Sequence, residues 1–104
     1  MQRVCFVMYL KPERVDDYLA AHEHVWPDML DALRDAGWHN HSLFLRAEDG
    51  MVVGYVETDD FAQATAAMEA TDVNARWQAV MSEYFQAGNP DTTRQELTHY
   101  FHLA

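Results

Sequence analysis

The run Arg3-Val-Cys-Phe-Val-Met-Tyr-Leu10 constrains this chain more than any other stretch. Its composition predicts a β-strand, and it is apolar at nearly every position with no polar alternate. Such a strand has to be covered on both faces. The chain has only 104 residues, enough for one core and one layer of helices. One face of the sheet is therefore left for something else, and a second copy of the chain is the expected cover, a homodimer.

Lys11-Pro12 opens a helical stretch, with Pro12 suited to a first turn where a missing N–H costs nothing. The pattern runs to about Ala36 and stops at Gly37. Pro27 interrupts it, because its ring clashes with the carbonyl four residues back and pushes Trp26 out of helical angles. A kink or break near Val25–Trp26 is expected. Tyr18, His22 and Trp26 recur at i+4 steps and share one helix face just before that break. This stripe reads either as core packing around a satisfied histidine or as a pocket wall with groups that relay protons.

Trp38–Arg46 and Met51–Glu57 predict a hairpin around the turn Ala47-Glu-Asp-Gly50. Gly54 within it marks a bulge or room for a neighbour. Thr58-Asp-Asp60 caps a further helix through Phe61, Ala64 and Ala67-Met68. Thr71-Asp72 restarts it through Trp77 to Tyr84-Phe85, Gln86–Arg94 reads as a polar surface loop, and Gln95–Leu103 as a final strand. The order β-α-β-β-α-β predicts an α+β, ferredoxin-like fold: one domain over 1–104, an antiparallel sheet and helices on one face.

The formal net charge of −10, with seven scattered basic residues, argues against nucleic acid or an anionic membrane as partner. No apolar stretch approaches a membrane span. The single Cys5 lies in an apolar run, so no disulfide forms within the chain. A first strand this near the N-terminus leaves no room for a signal peptide, and a cytoplasmic protein is expected. Six histidines invite a metal reading, but His22-x-His24 has the wrong helical spacing and His99 and His102 fall on opposite strand faces. His39-x-His41 would share a strand face, yet no spaced carboxylate or cysteine completes a ligand set, so no metal is expected. No phosphate loop, nucleophile elbow or C-x-x-C pair is present. Acid–base chemistry with histidine, tyrosine and carboxylates remains, with Asp72 and Glu57 the carboxylates expected nearest a pocket.

These pieces resemble the L-rhamnose mutarotase family over essentially the whole length. The matching residues are Phe6-Val7-Met8, Tyr18-x3-His22-x3-Trp26-Pro27, Gly37-x-His39-Asn40, Thr71-Asp72-Val73-x2-Arg76-Trp77 and Glu96-Leu97-x3-Phe101-x-Leu103. The resemblance implies a dimeric ferredoxin-like α/β barrel that interconverts the α and β anomers of a deoxyhexose without a cofactor. It implies His22 as proton donor and Tyr18 as a sugar-binding residue. It also carries substrate contacts onto Trp77, onto Gln78, where the family usually has a second tryptophan, and onto His41, where it has tyrosine. Those two departures put the sugar's identity in question between L-rhamnose and a relative such as L-fucose. Two other readings suit the architecture: a cofactor-free monooxygenase or decarboxylase, and a non-catalytic dimer that binds a small ligand.

Overall fold

The computed structural model describes all 104 residues. Four strands, β1 (Gln2–Tyr9), β2 (His39–Arg46), β3 (Met51–Thr58) and β4 (Gln95–Leu97), form one sheet in the order β2-β3-β1-β4. Every neighbouring pair is antiparallel, the ferredoxin-like arrangement expected from the element order. Val4, Phe6 and Met8 of β1 and Val52 and Val56 of β3 are buried under the helices. The alternate residues, Cys5, Val7, Met51, Val53 and Tyr55, are only half-buried and face the other way. Phe44, paired with Val53, and Leu97, paired with Cys5, extend that apolar strip and are 63% and 50% exposed. In the single chain this face of the sheet is open.

The first helical stretch is divided as Pro27 requires. A short 3₁₀ turn (Pro12–Arg14) leads into α1 (Val15–Glu23), and α2 spans Pro27–Asp35. Trp26 sits at φ −55°, ψ 132°, the extended conformation forced on a residue before proline. The helix ends slightly earlier than expected, at Glu23. At the far end of α2, Gly37 takes φ 91° and the Trp38 N–H returns to the Leu33 carbonyl at 3.0 Å, closing the helix with a Schellman turn. The second stretch divides into α3 (Phe61–Glu69), capped by Asp60, and α4 (Asp72–Met81), capped by Thr71.

Three boundaries differ from the sequence reading. The helix expected to reach Tyr84-Phe85 stops at Met81. The chain turns there so that Phe85 bridges to Leu10, with Lys11 N–H donating to the Tyr84 carbonyl at 2.8 Å. Phe85 and Leu10 both lie in the core, so burial and backbone pairing outweigh helical continuation. The loop Gln86–Arg94 contains a short helix, α5 (Pro90–Thr93), capped by Asn89. The final strand pairs with β1 only over Gln95–Leu97. Beyond it the chain leaves the sheet edge, and Tyr100, Phe101 and Leu103 are 94%, 72% and 81% exposed. The apolar alternation that suggested a longer strand is present, but nothing within one chain covers it.

Candidate active site

Between the helices and the covered face of the sheet lies a cavity of about 170 Å³. Tyr18, His22, His41, Trp77 and Gln78, the five residues singled out from sequence, all line it. That volume falls below the roughly 300–1,000 Å³ common for drug-sized ligands, so it suits a single small ring.

Tyr18 and His22 come from α1, one turn apart on the inward face. The His22 Nδ1 lies 3.0 Å from the Tyr18 backbone carbonyl. A carbonyl can only accept, so Nδ1 carries the hydrogen and Nε2 is the free nitrogen. The rings of Tyr18 and His22 are 4.3 Å apart, and Phe85 packs edge-on against Tyr18 at 5.6 Å. Burial lowers the His22 pKa below the ordinary histidine value, an effect partly offset by the carbonyl hydrogen bond. Burial also pushes the Tyr18 phenol up to about 12, so it remains a neutral donor and acceptor rather than a base.

Trp77, from α4, meets His22 edge-to-face at 5.4 Å. Trp26 stands against Trp77 at 5.0 Å and has the Arg76 guanidinium 5.8 Å from its ring centre. Trp26 thus supports the wall that Trp77 presents and is not part of the cavity lining.

His41 reaches the cavity from β2, on the same inward alternation as Leu43 and Leu45, and a fault in the strand lies just before it. His39 pairs with Glu57 and Ser42 with Tyr55, so the strand carries an extra residue between these pairs. Asn40 occupies the left-handed region at φ 47°, which asparagine tolerates better than most residues. The bulge separates the two histidines: His39 lies opposite Glu57, and His41 turns under the helices. The shared strand face expected of His39-x-His41 does not exist. The His41 Nδ1 lies 2.9 Å from the Tyr55 carbonyl, so here too Nδ1–H donates and Nε2 is free. Burial is the main cause of a lowered pKa at His41, with Arg94 and His22 adding to it. Trp38 packs edge-on against the ring at 5.1 Å.

The remaining polar wall joins Gln78 to three residues the sequence reading missed, Asn74, Asp91 and Arg94. Asn74 is buried and donates to Asp91 Oδ2 at 2.8 Å. Gln78 Nε2 donates to Asn74 Oδ1, and Gln78 Oε1 accepts the Asp91 N–H at 3.1 Å. Arg94 completes the network on Asp91 Oδ1 at 2.9 Å and lies 5.7–5.9 Å from the centres of the Phe6, Trp38 and Phe61 rings. The carboxylate at the cavity is therefore Asp91. Asp72, expected there, is 89% exposed beside Arg76, and Glu57 binds the Tyr55 hydroxyl and Asn40 away from the cavity. A signal for the missed segment was available: Asn89-Pro90-Asp91 is a helix start, with a cap, a proline at the first position and an acid in the first turn.

Met8, Met29, Leu33, Met68 and Met81 supply an apolar lining around these few polar groups. Fold and cavity together define a ferredoxin-like α+β protein whose pocket can hold one small ring and move protons on it with histidine.

A family profile described as L-rhamnose mutarotase matches residues 3–103. An L-rhamnose mutarotase of Oceanobacillus iheyensis is 31% identical over 104 residues, covering 99% of each chain. Another, from Tolumonas auensis, is 34% identical over 106 residues and covers both chains completely. The chain belongs to the L-rhamnose mutarotase family. Among solved structures, an L-rhamnose mutarotase from Formosa agariphila superposes with a TM-score of 0.81 at 21% identity over the whole of both chains. An antibiotic biosynthesis monooxygenase superposes at 0.63 with 20% identity, covering 96% of this chain and 99% of its own. At such identities these two likenesses show the shared fold alone.

Proposed function

We propose that this protein interconverts the α and β anomers of L-rhamnose, or of a close 6-deoxyhexose such as L-fucose, with His22 as the proton-transfer group. One observation carries the reading: His22 is held by its Nδ1–H on the Tyr18 carbonyl while its Nε2 remains free at the cavity. Ring opening removes a proton from the anomeric hydroxyl, forms the C1 carbonyl and releases the C1–O5 electron pair onto the ring oxygen, which takes up a proton. Rotation about C1–C2 and re-closure give the other anomer. An imidazole can both take and return a proton near neutral pH, as a reversible reaction requires.

The other lining groups suit the ligand. Tyr18, one turn from His22, offers a neutral hydroxyl to a sugar hydroxyl. Trp77 presents a flat apolar plate to the C–H face of a pyranose. The methionine-rich lining suits the methyl group that distinguishes a deoxyhexose. The open apolar face of the sheet, running through Val7, Val53, Phe44 and Leu97, supports a homodimer formed through that face. A single unpaired cysteine and an acidic surface accord with a cytoplasmic enzyme.

Anomer exchange measured by saturation-transfer NMR on L-rhamnose and L-fucose tests the reading. The wild-type protein should accelerate exchange of one of them, and His22→Ala should abolish the acceleration while the variant stays folded. Full activity in the variant would remove His22 from its role. No acceleration of either sugar by the wild type would overturn the mutarotase assignment.

A further inference from the structure

The reading above leaves a question of chemical balance. Ring opening needs one group to accept the proton of the anomeric hydroxyl and another to supply the ring oxygen. Tyr18 is poorly suited to exchange protons near neutrality, since burial holds its phenol near 12. Asp91 is already engaged by Arg94 and Asn74.

We propose that His41 is the second proton-transfer residue, acting with His22 from the opposite layer of the pocket. Three features of the geometry carry this. Both imidazoles line the one cavity, His22 from α1 and His41 from the sheet. Each is oriented by the same device, an Nδ1–H on a backbone carbonyl, at 3.0 Å for His22 and 2.9 Å for His41. In each, Nε2 is therefore the nitrogen open to a ligand. His41 keeps the inward alternation of Leu45 and Leu43, and the bulge at Asn40 turns only His39 to the open face, so His41 stands alone at the cavity.

The step balances when the pair holds one proton. The protonated imidazole gives its Nε2 proton to the ring oxygen as the C1–O5 bond breaks. The neutral imidazole takes the anomeric hydroxyl proton on its Nε2 as the C1 carbonyl forms. The proton is then on the other histidine, and re-closure runs the exchange backwards. No oxidant, metal or further reactant is consumed. The titratable and charged groups facing His41 are His22 and Tyr18 from α1, together with Asp91 and Arg94. Arg94 and His22 both oppose a proton on His41, so double protonation is disfavoured and the singly protonated pair has a distinct pH range.

This inference rests on the mutarotase reading, and one set of measurements separates the two. Anomer exchange would be followed by NMR across the pH range for wild type, His22→Ala, His41→Asn and His41→Gln. Asparagine can still donate to the Tyr55 carbonyl but lacks Nε2. Glutamine places an amide near the Nε2 position that can hydrogen-bond and cannot exchange a proton. Both His41 variants should lose about a hundredfold or more in kcat, with KM changed much less. The wild-type kcat should be bell-shaped in pH, and each His41 variant that folds should keep only one limb. A wild type that accelerates exchange with a single-limbed profile, or a His41→Gln variant that keeps kcat within about threefold, would overturn the role of His41 and leave that of His22 standing. A wild type without activity would overturn both. The wild-type profile needs no substitution, so the proposal is decided even where a His41 variant does not fold.

Discussion

The side-chain carbonyl of Gln78 accepts the backbone N–H of Asp91 at 3.1 Å, joining the end of α4 to the first turn of α5. Its amide nitrogen is also engaged, by Asn74. At the position where the family resemblance implied a second tryptophan, this chain has a bracket that holds one wall of the cavity.

Removing that bracket should loosen the wall. Gln78→Leu leaves the Asp91 N–H and the Asn74 carbonyl oxygen without their partner, at a cost of about 1–3 kcal/mol. Thermal unfolding should show the lost stability. Sugar exchange should show KM rising more than kcat falls, since the wall shapes binding while the histidines remain. A variant with wild-type melting and KM would mean that Gln78 holds nothing in place.

Gly54 is needed because Phe6, its partner across the strands, lies over it. A Cβ at this position would sit 2.3 Å from the Phe6 ring. Gly54→Ala must displace a ring that lines the cavity and packs against Arg94, so a loss of about 1–3 kcal/mol is expected. Combining it with Phe6→Leu should restore part of that loss. Denaturant midpoints of the single and double variants measure the coupling.

Acid should destabilise the fold through His22 and His41. Burial lowers both pKa values below 6.5, the value that stands for the unfolded chain. Well above 6.5 both states are neutral and the two residues contribute no pH dependence. As pH falls from there through the lowered values, the unfolded chain binds protons that the folded chain resists, and stability drops. Chemical denaturation between about pH 8 and 5 should show this decline, and the double variant His22→Gln/His41→Gln should flatten it. An unchanged slope in that variant would place the acid sensitivity elsewhere.

The open sheet face gives a test of assembly. Val53 lies between Val7 and Phe44 on that face, half-buried in the single chain. Val53→Asp places a charge within the proposed dimer contact and should convert a dimer to monomers in sedimentation analysis. A wild type that sediments as a monomer would overturn the dimer.

Much of the fold was legible because its signals are local. Pro27 acts on the residue before it and on the carbonyl four back, so the break between α1 and α2 could be read directly. The i+4 spacing put Tyr18 and His22 on one face of a helix, and Trp77 lay on the next apolar helical stripe but one. Other features depended on partners distant in sequence. The helix after Thr71 stopped at Met81 because Phe85 has a place beside Leu10, seventy-five residues earlier in the chain.

The sequence by itself determined the order of elements and the helix break, since each follows from neighbours within about one helical turn, and it was the family resemblance that singled out His22. Only the tertiary structure decided which groups meet that histidine. A bulge at Asn40 turned His39 to the open face and left His41 alone at the cavity, and the network through Asn74, Gln78 and Arg94 drew Asp91 out of an apparent surface loop. Strand alternation flips with a single inserted residue, and a polar loop gives no sign of which buried amide will bind it. Both are settled by pairing across the fold, where local pattern has no say.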